Sequence, residues 1–194
     1  MLREDTNGDF VGCFAFEGRN YEYRVRGYGR PVLITASISP RYGSYAWRYI
    51  FECLAGTRFV YSLDVEGMIR VGENTGPEHH AKLIEAFLRE IIGVRSTIIA
   101  GEREYTDATS AALEARSLVD KVIFLCPGGA EGFRLRGPVV AGKGTGTAAV
   151  PALDRLRQTT AGSRICTVLR SGNSPLPGGK SPLRICEDLM KLLR

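Results

Sequence analysis

The sequence predicts an α/β three-layer sandwich, a mostly parallel sheet with an antiparallel hairpin at its N-terminal end. Three observations carry this. Alternating apolar residues come first, and short unbroken apolar runs follow at intervals. The segments between those runs repeat their apolar residues at three- and four-residue spacing. Strand and helix in alternation imply right-handed crossovers and a sheet covered on both faces.

Residues 13–16 (CFAF) and 21–25 (YEYRV) flank Glu17-Gly18-Arg19-Asn20, the pattern of a hairpin with a Gly-containing loop. Pro31-Val32-Leu33-Ile34-Thr35 is a continuous apolar run, as expected of a buried parallel strand. From Ser44 to Ala55 the period is helical, with Trp47, Ile50, Phe51 and Leu54 on one face, and Thr57 to Leu63 is the next strand. Pro77, suited to a first helical turn, opens a helix through Ile92 with Leu83, Phe87 and Ile91 on its buried side, and Gly93 suits its cap. Ser96 to Ala100 is a strand, Thr106 to Arg116 an Ala-rich helix, and Lys121 to Cys126 another strand.

The pattern lapses from Pro127 to Val150, and Gly137 to Val150 (GPVVAGKGTGTAAV) reads as a Gly-rich linker inside a single domain spanning 1–194. A short helix from Pro151 to Gln158, a strand from Ile165 to Leu169, a Gly/Pro-rich turn and an amphipathic helix from Ser181 to Leu193 follow. Gly137 to Gly144 nearly matches the phosphate-cradling G-x-x-x-x-G-K-[ST]. Gly144 occupies the hydroxyl position, however, and no apolar strand precedes it.

Composition bounds the function. The 26 Lys and Arg against 21 Asp and Glu give a net charge of +5. The arginines are spread along the chain without a basic stripe, which speaks against nucleic acid. No run approaches the length of a membrane span. The polar start MLREDTNGDF is unlike a targeting peptide, so the expected compartment is the cytoplasm, or an organellar stroma or matrix if a transit peptide has been removed. Cys13, Cys53, Cys126, Cys166 and Cys186 form no paired spacing, so neither a disulfide framework nor a metal site is expected. His79 and His80 are the only histidines. Adjacent side chains on a helix diverge by about 100°, too far to chelate one ion, so a solvated helix start is expected. No cofactor is expected either.

Asp64, Glu66, Glu102 and Glu104 follow two strands at the sheet edge where open α/β folds place their sites, and Cys126 ends a third strand. Without a nucleophile or metal ligand nearby in sequence, the carboxylates read as a polar rim and Cys126 as a small buried hydrophobe.

The order hairpin, PVLITAS, YAWRYIFECLAGTRFVYSLDVEG resembles the α/β-hydrolase superfamily. It is similar to the branch of pheophytinase-like and other plastid and cyanobacterial hydrolases, near epoxide hydrolases and haloalkane dehalogenases. Members of that branch carry a W-R-x-N-I-P-x-L-A helix and then R-V-Y-A-L-D-L-L-G-F-G. The likeness runs on through FLREIIGVRSTIIAGERE, SLVDKVIFLCPGG and ALDRLRQTTAGSRICTVLRSGNSPL. The resemblance implies a truncated α/β-hydrolase core whose cap is reduced to the linker at 137–150.

The family's nucleophile elbow, G-x-S-x-G, aligns with Gly101-Glu102-Arg103-Glu104-Tyr105, which puts Arg103 at the nucleophile position. A guanidinium stays protonated and cannot attack a carbonyl. The oxyanion-region positions are Ala36 and Ser37, and the acid position falls on Ser174 or Pro175. The stretch to Arg194 stops short of the family histidine. The resemblance therefore implies a catalytically inactive chain, a structural or binding subunit of a larger assembly. The photosynthetic lineage of the branch suggests a photosynthetic complex, with the chain peripheral to a membrane. Arg103 is then expected to fill the ancestral pocket, paired with Glu102, Glu104 or Asp64. A ligand receptor is one alternative. The other is a hydrolase using residues foreign to the family: Asp64, Glu102, Glu104, Cys126 or Ser110. Protein partners are expected along the edge strand Ile165 to Leu169.

Overall fold

The computed structural model describes residues 2–36, 38, 45–65, 77–101, 105–126, 166–170 and 182–194. Eight strands form one sheet in the order β1-β2-β3-β5-β4-β6-β7-β8. They are β1 (Arg3–Glu4), β2 (Phe10–Phe16), β3 (Arg19–Gly27), β4 (Pro31–Ile34), β5 (Phe59–Leu63), β6 (Ser96–Ala100), β7 (Val119–Cys126) and β8 (Cys166–Arg170). Strands β1, β2 and β3 are antiparallel, β3 joins β5 antiparallel, and β5, β4, β6, β7 and β8 run parallel. The α/β three-layer sandwich read from the sequence is what forms. The last strand is described over Cys166–Arg170; Ile165 lies outside the described residues, as do the linker at 137–150 and the expected helix at 151–158.

The hairpin turns on two residues. Phe16 pairs with Arg19, leaving Glu17 (φ 46°) and Gly18 (φ 75°) as the loop. Positive φ at both central residues matches the right-handed strand twist. At the far end of β3, Gly27 has φ 92°, and a Cβ there would lie 2.1 Å from the carbonyl oxygen of Arg58. Only glycine allows the chain to pass so close to the start of β5.

Among the described residues, four helices cover the sheet. Helices α2 (Pro77–Phe87) and α3 (Tyr105–Glu114) share one core with Phe14, Tyr21, Tyr23, Leu33, Leu63, Ile98, Val122 and Phe124. Helices α1 (Tyr45–Ala55) and α4 (Pro182–Leu192) share the other with Val32, Ile34, Val60, Ile99, Ile123 and Leu125. The period-2 alternation of the strands thus feeds two separate apolar layers. On α1, Ile50, Phe51 and Leu54 are fully buried, as their spacing predicts. On α3, Ala108, Ala111 and Ala112 face inward, as does Ala115 just after it, and their small side chains allow close approach. Helix α2 continues into one π turn, Leu88–Ile92, which buries Ile92 beside Leu88 and ends at Gly93 (φ 67°).

The second face of the hairpin is held by charge rather than by apolar contact. Asp9, fully buried before β2, bonds Arg48 of α1 and lies 3.8 Å from Arg24 and 3.6 Å from Arg26 of β3. Arg24 also bonds Asp5, and the Nε of Arg48 donates to Glu52 at 2.6 Å. Burial acts to raise the Asp5 carboxyl. The N–H groups of Asn7 and Asp9 and the Arg24 guanidinium outweigh it and hold the group below its ordinary value. Its contribution to stability is therefore present above that ordinary value and is lost as the pH falls through the lowered one. Removing one partner of a buried pair strands the other's charge. Asp9→Ala is accordingly expected to lose about 3 kcal/mol of stability, read from urea unfolding, with Arg26→Gln on the exposed rim losing far less.

Candidate functional site

Parallel strands β5 and β6 point their carboxyl ends to the same edge of the sheet, and open α/β sheets build their sites there. Tyr23 pairs with Leu63, the last residue of β5. Tyr21, two residues nearer the hairpin tip, therefore stands beyond that end. The first turn of α2 meets it there. Helix α3 begins just past the end of β6, where Gly101 is buried. The starts of two helices and the tip of the hairpin thus converge on one edge.

Three polar contacts fill that convergence. His80 Nδ1 lies 3.2 Å from Asp107 Oδ2, joining the first turns of α2 and α3. His79 Nδ1 lies 2.9 Å from Glu17 Oε2 at the hairpin tip, and its Nε2 lies 2.6 Å from the Tyr21 hydroxyl. An ionised carboxylate can only accept, so each Nδ1 carries a proton and donates it. The Tyr21 hydroxyl donates to the Nε2 of His79, giving a hydroxyl–imidazole–carboxylate line. Tyr21 is buried, so its hydroxyl takes up the Nε2 of His79 from inside the fold, and the line pins α2 to the hairpin.

The second pair differs in its carboxylate. Asp107 is buried where Glu17 is exposed, while the two imidazoles are covered alike, His80 keeping 14% of its side-chain surface and His79 15%. A carboxylate on Nδ1 of a neutral imidazole fixes the tautomer in which Nε2 is the basic nitrogen, the arrangement a general base requires. Asp107 also gains from the N-terminal end of the α3 dipole. The expected solvated helix start is thus corrected: both imidazoles are largely covered, and each is tied to a different element. Their rings, 6.2 Å apart and T-shaped, do diverge as adjacent helical side chains must.

The other candidates are distributed unevenly. Ala36 is buried after β4, and its carbonyl accepts from the Ser62 hydroxyl at 3.0 Å. Beside it Thr35 is fully buried, its hydroxyl without a hydrogen-bond partner among the described residues. Asp64 follows β5, half-buried, its N–H donating to the carbonyl of Glu22. Ser110 lies half-buried on α3, three residues after Asp107 and so on the same helix face. Cys126 ends β7. Ser37, Glu66, Glu102, Arg103, Glu104, Ser174 and Pro175 lie outside the described residues. Among the described residues, no group of three His, Cys, Asp or Glu side chains could hold a metal ion, and no helix is long and apolar enough to cross a membrane.

No protein family described from sequence matches the chain, and no curated protein matches it. Solved structures do. A CIB-like hydrolase from Thermoplasma acidophilum superposes with a TM-score of 0.61 at 16% identity, over 100% of this chain and 98% of that one. Haloalkane dehalogenase DatA from Agrobacterium tumefaciens gives 0.51 at 18% identity, over 63% of this chain and 44% of that one. An epoxide hydrolase from Pseudomonas aeruginosa gives 0.51 at 18%, over 64% and 44%. The chain thus has the α/β-hydrolase fold and spans less than half the length of the latter two. The expectation that it is no enzyme is corrected here. The structures it superposes on are hydrolases.

The line through His79 has its own test. Tyr21→Phe leaves the Nε2 of His79 without the hydroxyl and is expected to cost about 1 kcal/mol, read from thermal unfolding, with secondary structure by circular dichroism unchanged.

Proposed function

We propose that this chain is a hydrolase on the α/β-hydrolase fold in which His80, oriented by Asp107, is the general base. The single observation that carries the reading is the partly exposed imidazole held by a buried carboxylate at the carboxyl edge of β5 and β6. Arg103, aligned at the nucleophile position, cannot attack, so the base acts on water. The Nε2 of His80 takes a proton from water as the oxygen adds to an ester carbonyl, and the proton passes to the departing alkoxide. This is the hydrolase using residues foreign to the family, with His80 and Asp107 in place of the carboxylates, the thiol and Ser110 first considered. The structural neighbours are hydrolases, which supports the reaction class. The narrower kinship with the pheophytinase-like branch, and a photosynthetic host, rest on the sequence motifs alone. The test is turnover of a p-nitrophenyl ester series. His80→Gln is expected to lower the rate by about a hundredfold, Asp107→Asn to lower it less, and Ser110→Ala to leave it unchanged. Wild-type turnover no faster than buffer across the series sinks the reading.

A second reading concerns association. Strand β8 is the outermost strand at its end of the described sheet, and outer strands present unpaired N–H and C=O groups to a partner. A protein partner along Cys166–Arg170 is expected to slow amide exchange there in the native assembly relative to the isolated chain. Equal protection in both excludes it.

A further inference from the structure

The opposite edge of the sheet, where the parallel strands begin, holds a cleft of about 230 Å³. Arg30 precedes β4, Arg58 precedes β5, Arg95 precedes β6, Lys121 lies near the start of β7, and Arg194 follows α4. All five line this one cleft, where Asp120 is the only acidic side chain among the described residues. The arginines that look dispersed in the sequence therefore meet in space, four of them around one concavity.

Two of these side chains are held in place by backbone. Arg58 donates to the carbonyl of Leu193 at 2.6 Å and to that of Thr57 at 3.1 Å, and Lys121 donates to the carbonyl of Leu192. These bonds cap the carboxyl end of α4, where cations are favoured. The bonds of Arg58 order its side chain without neutralising it. Arg95 pairs with Asp120 at 2.8 Å, both exposed. No carboxylate pairs with Arg30, Arg58 or Arg194 among the described residues. Guanidinium forks match the oxygen geometry of phosphate, and a preordered cationic wall lowers the entropy cost of capturing one.

We infer that this cleft binds a small ligand bearing two linked phosphate groups. The cations converge on one concavity rather than tracking a groove, and among the described residues its lining contains no aromatic ring on which a base could stack. Those two features favour a compact oligophosphate over a nucleic-acid strand. The cleft lies at the other edge of the sheet from His80, so this inference is independent of the catalytic one.

Calorimetric titration of the full chain with inorganic pyrophosphate, at ionic strength held constant with chloride, tests it. One saturable site per chain is expected, with sulfate at least about tenfold weaker. Arg30→Gln and Arg95→Gln, both on exposed side chains, are each expected to weaken binding by about tenfold. Arg89→Gln on α2 is expected to change nothing. Asp120→Asn removes the competing carboxylate and should tighten binding, a gain that misfolding cannot mimic. Overturning results are equal responses to pyrophosphate and sulfate, or affinity indifferent to Arg30→Gln, Arg95→Gln and Asp120→Asn.

Discussion

The structure depends on one constraint: strands β4, β6 and β7 are apolar on both faces. Leu33, Ile98 and Val122 point into one core, while Ile34, Ile99 and Ile123 point into the other. A strand of that kind needs a helical layer on each side, because either face left to water would forfeit its apolar burial. The helices must therefore lie along the sheet, and their connections are driven to its two ends. Polar chemistry has nowhere else to go. At one end the starts of α2 and α3 bring His79, His80 and Asp107 together. At the other the end of α4 and the strand starts gather cations.

The hairpin obeys a different rule. Tyr21, Tyr23 and Val25 alternate toward α2, but the residues between them include Glu22, Arg24 and Arg26, which cannot enter a core. The chain meets this with a charge layer, Asp9 among three guanidiniums, rather than a second apolar one. Buried ion pairs contribute less net stability than apolar packing of the same size, yet they fix geometry. Here they set the hairpin against α1 at one defined position, while the aromatic contacts of Tyr23 and Phe14 with Phe87 set it against α2.

Most of the fold was legible in the sequence because it is written locally. Unbroken runs such as PVLI and STIIA and the spacing of Ile50, Phe51 and Leu54 each declare an element within a few residues. Strand β1 was not legible: Arg3–Glu4 is two exposed residues paired through backbone alone. The π turn was not legible either, since it changes helix phase without changing composition. The site was the least legible part. His80 meets Asp107 across 27 residues, and His79 meets Glu17 across 62. Only the tertiary approach of α2 to α3 and to the hairpin makes those pairs. A histidine in the first turn of a helix carries no local sign of what the next helix will offer it. The elbow motif covers 101–105, and Asp107, two residues further on, lies outside it.

The two-residue turn at Glu17-Gly18 has a consequence for how this protein tolerates change in length. Hairpin tips are usually where insertions do least harm. This one carries Glu17 to His79 and places Tyr21 four residues later on the same imidazole. One added residue would either lengthen the loop and withdraw the carboxylate, or slip the register of β3 and turn Tyr21 to the opposite face. Relatives of this chain that keep the histidine pair should therefore share not only its residues but the length of that turn.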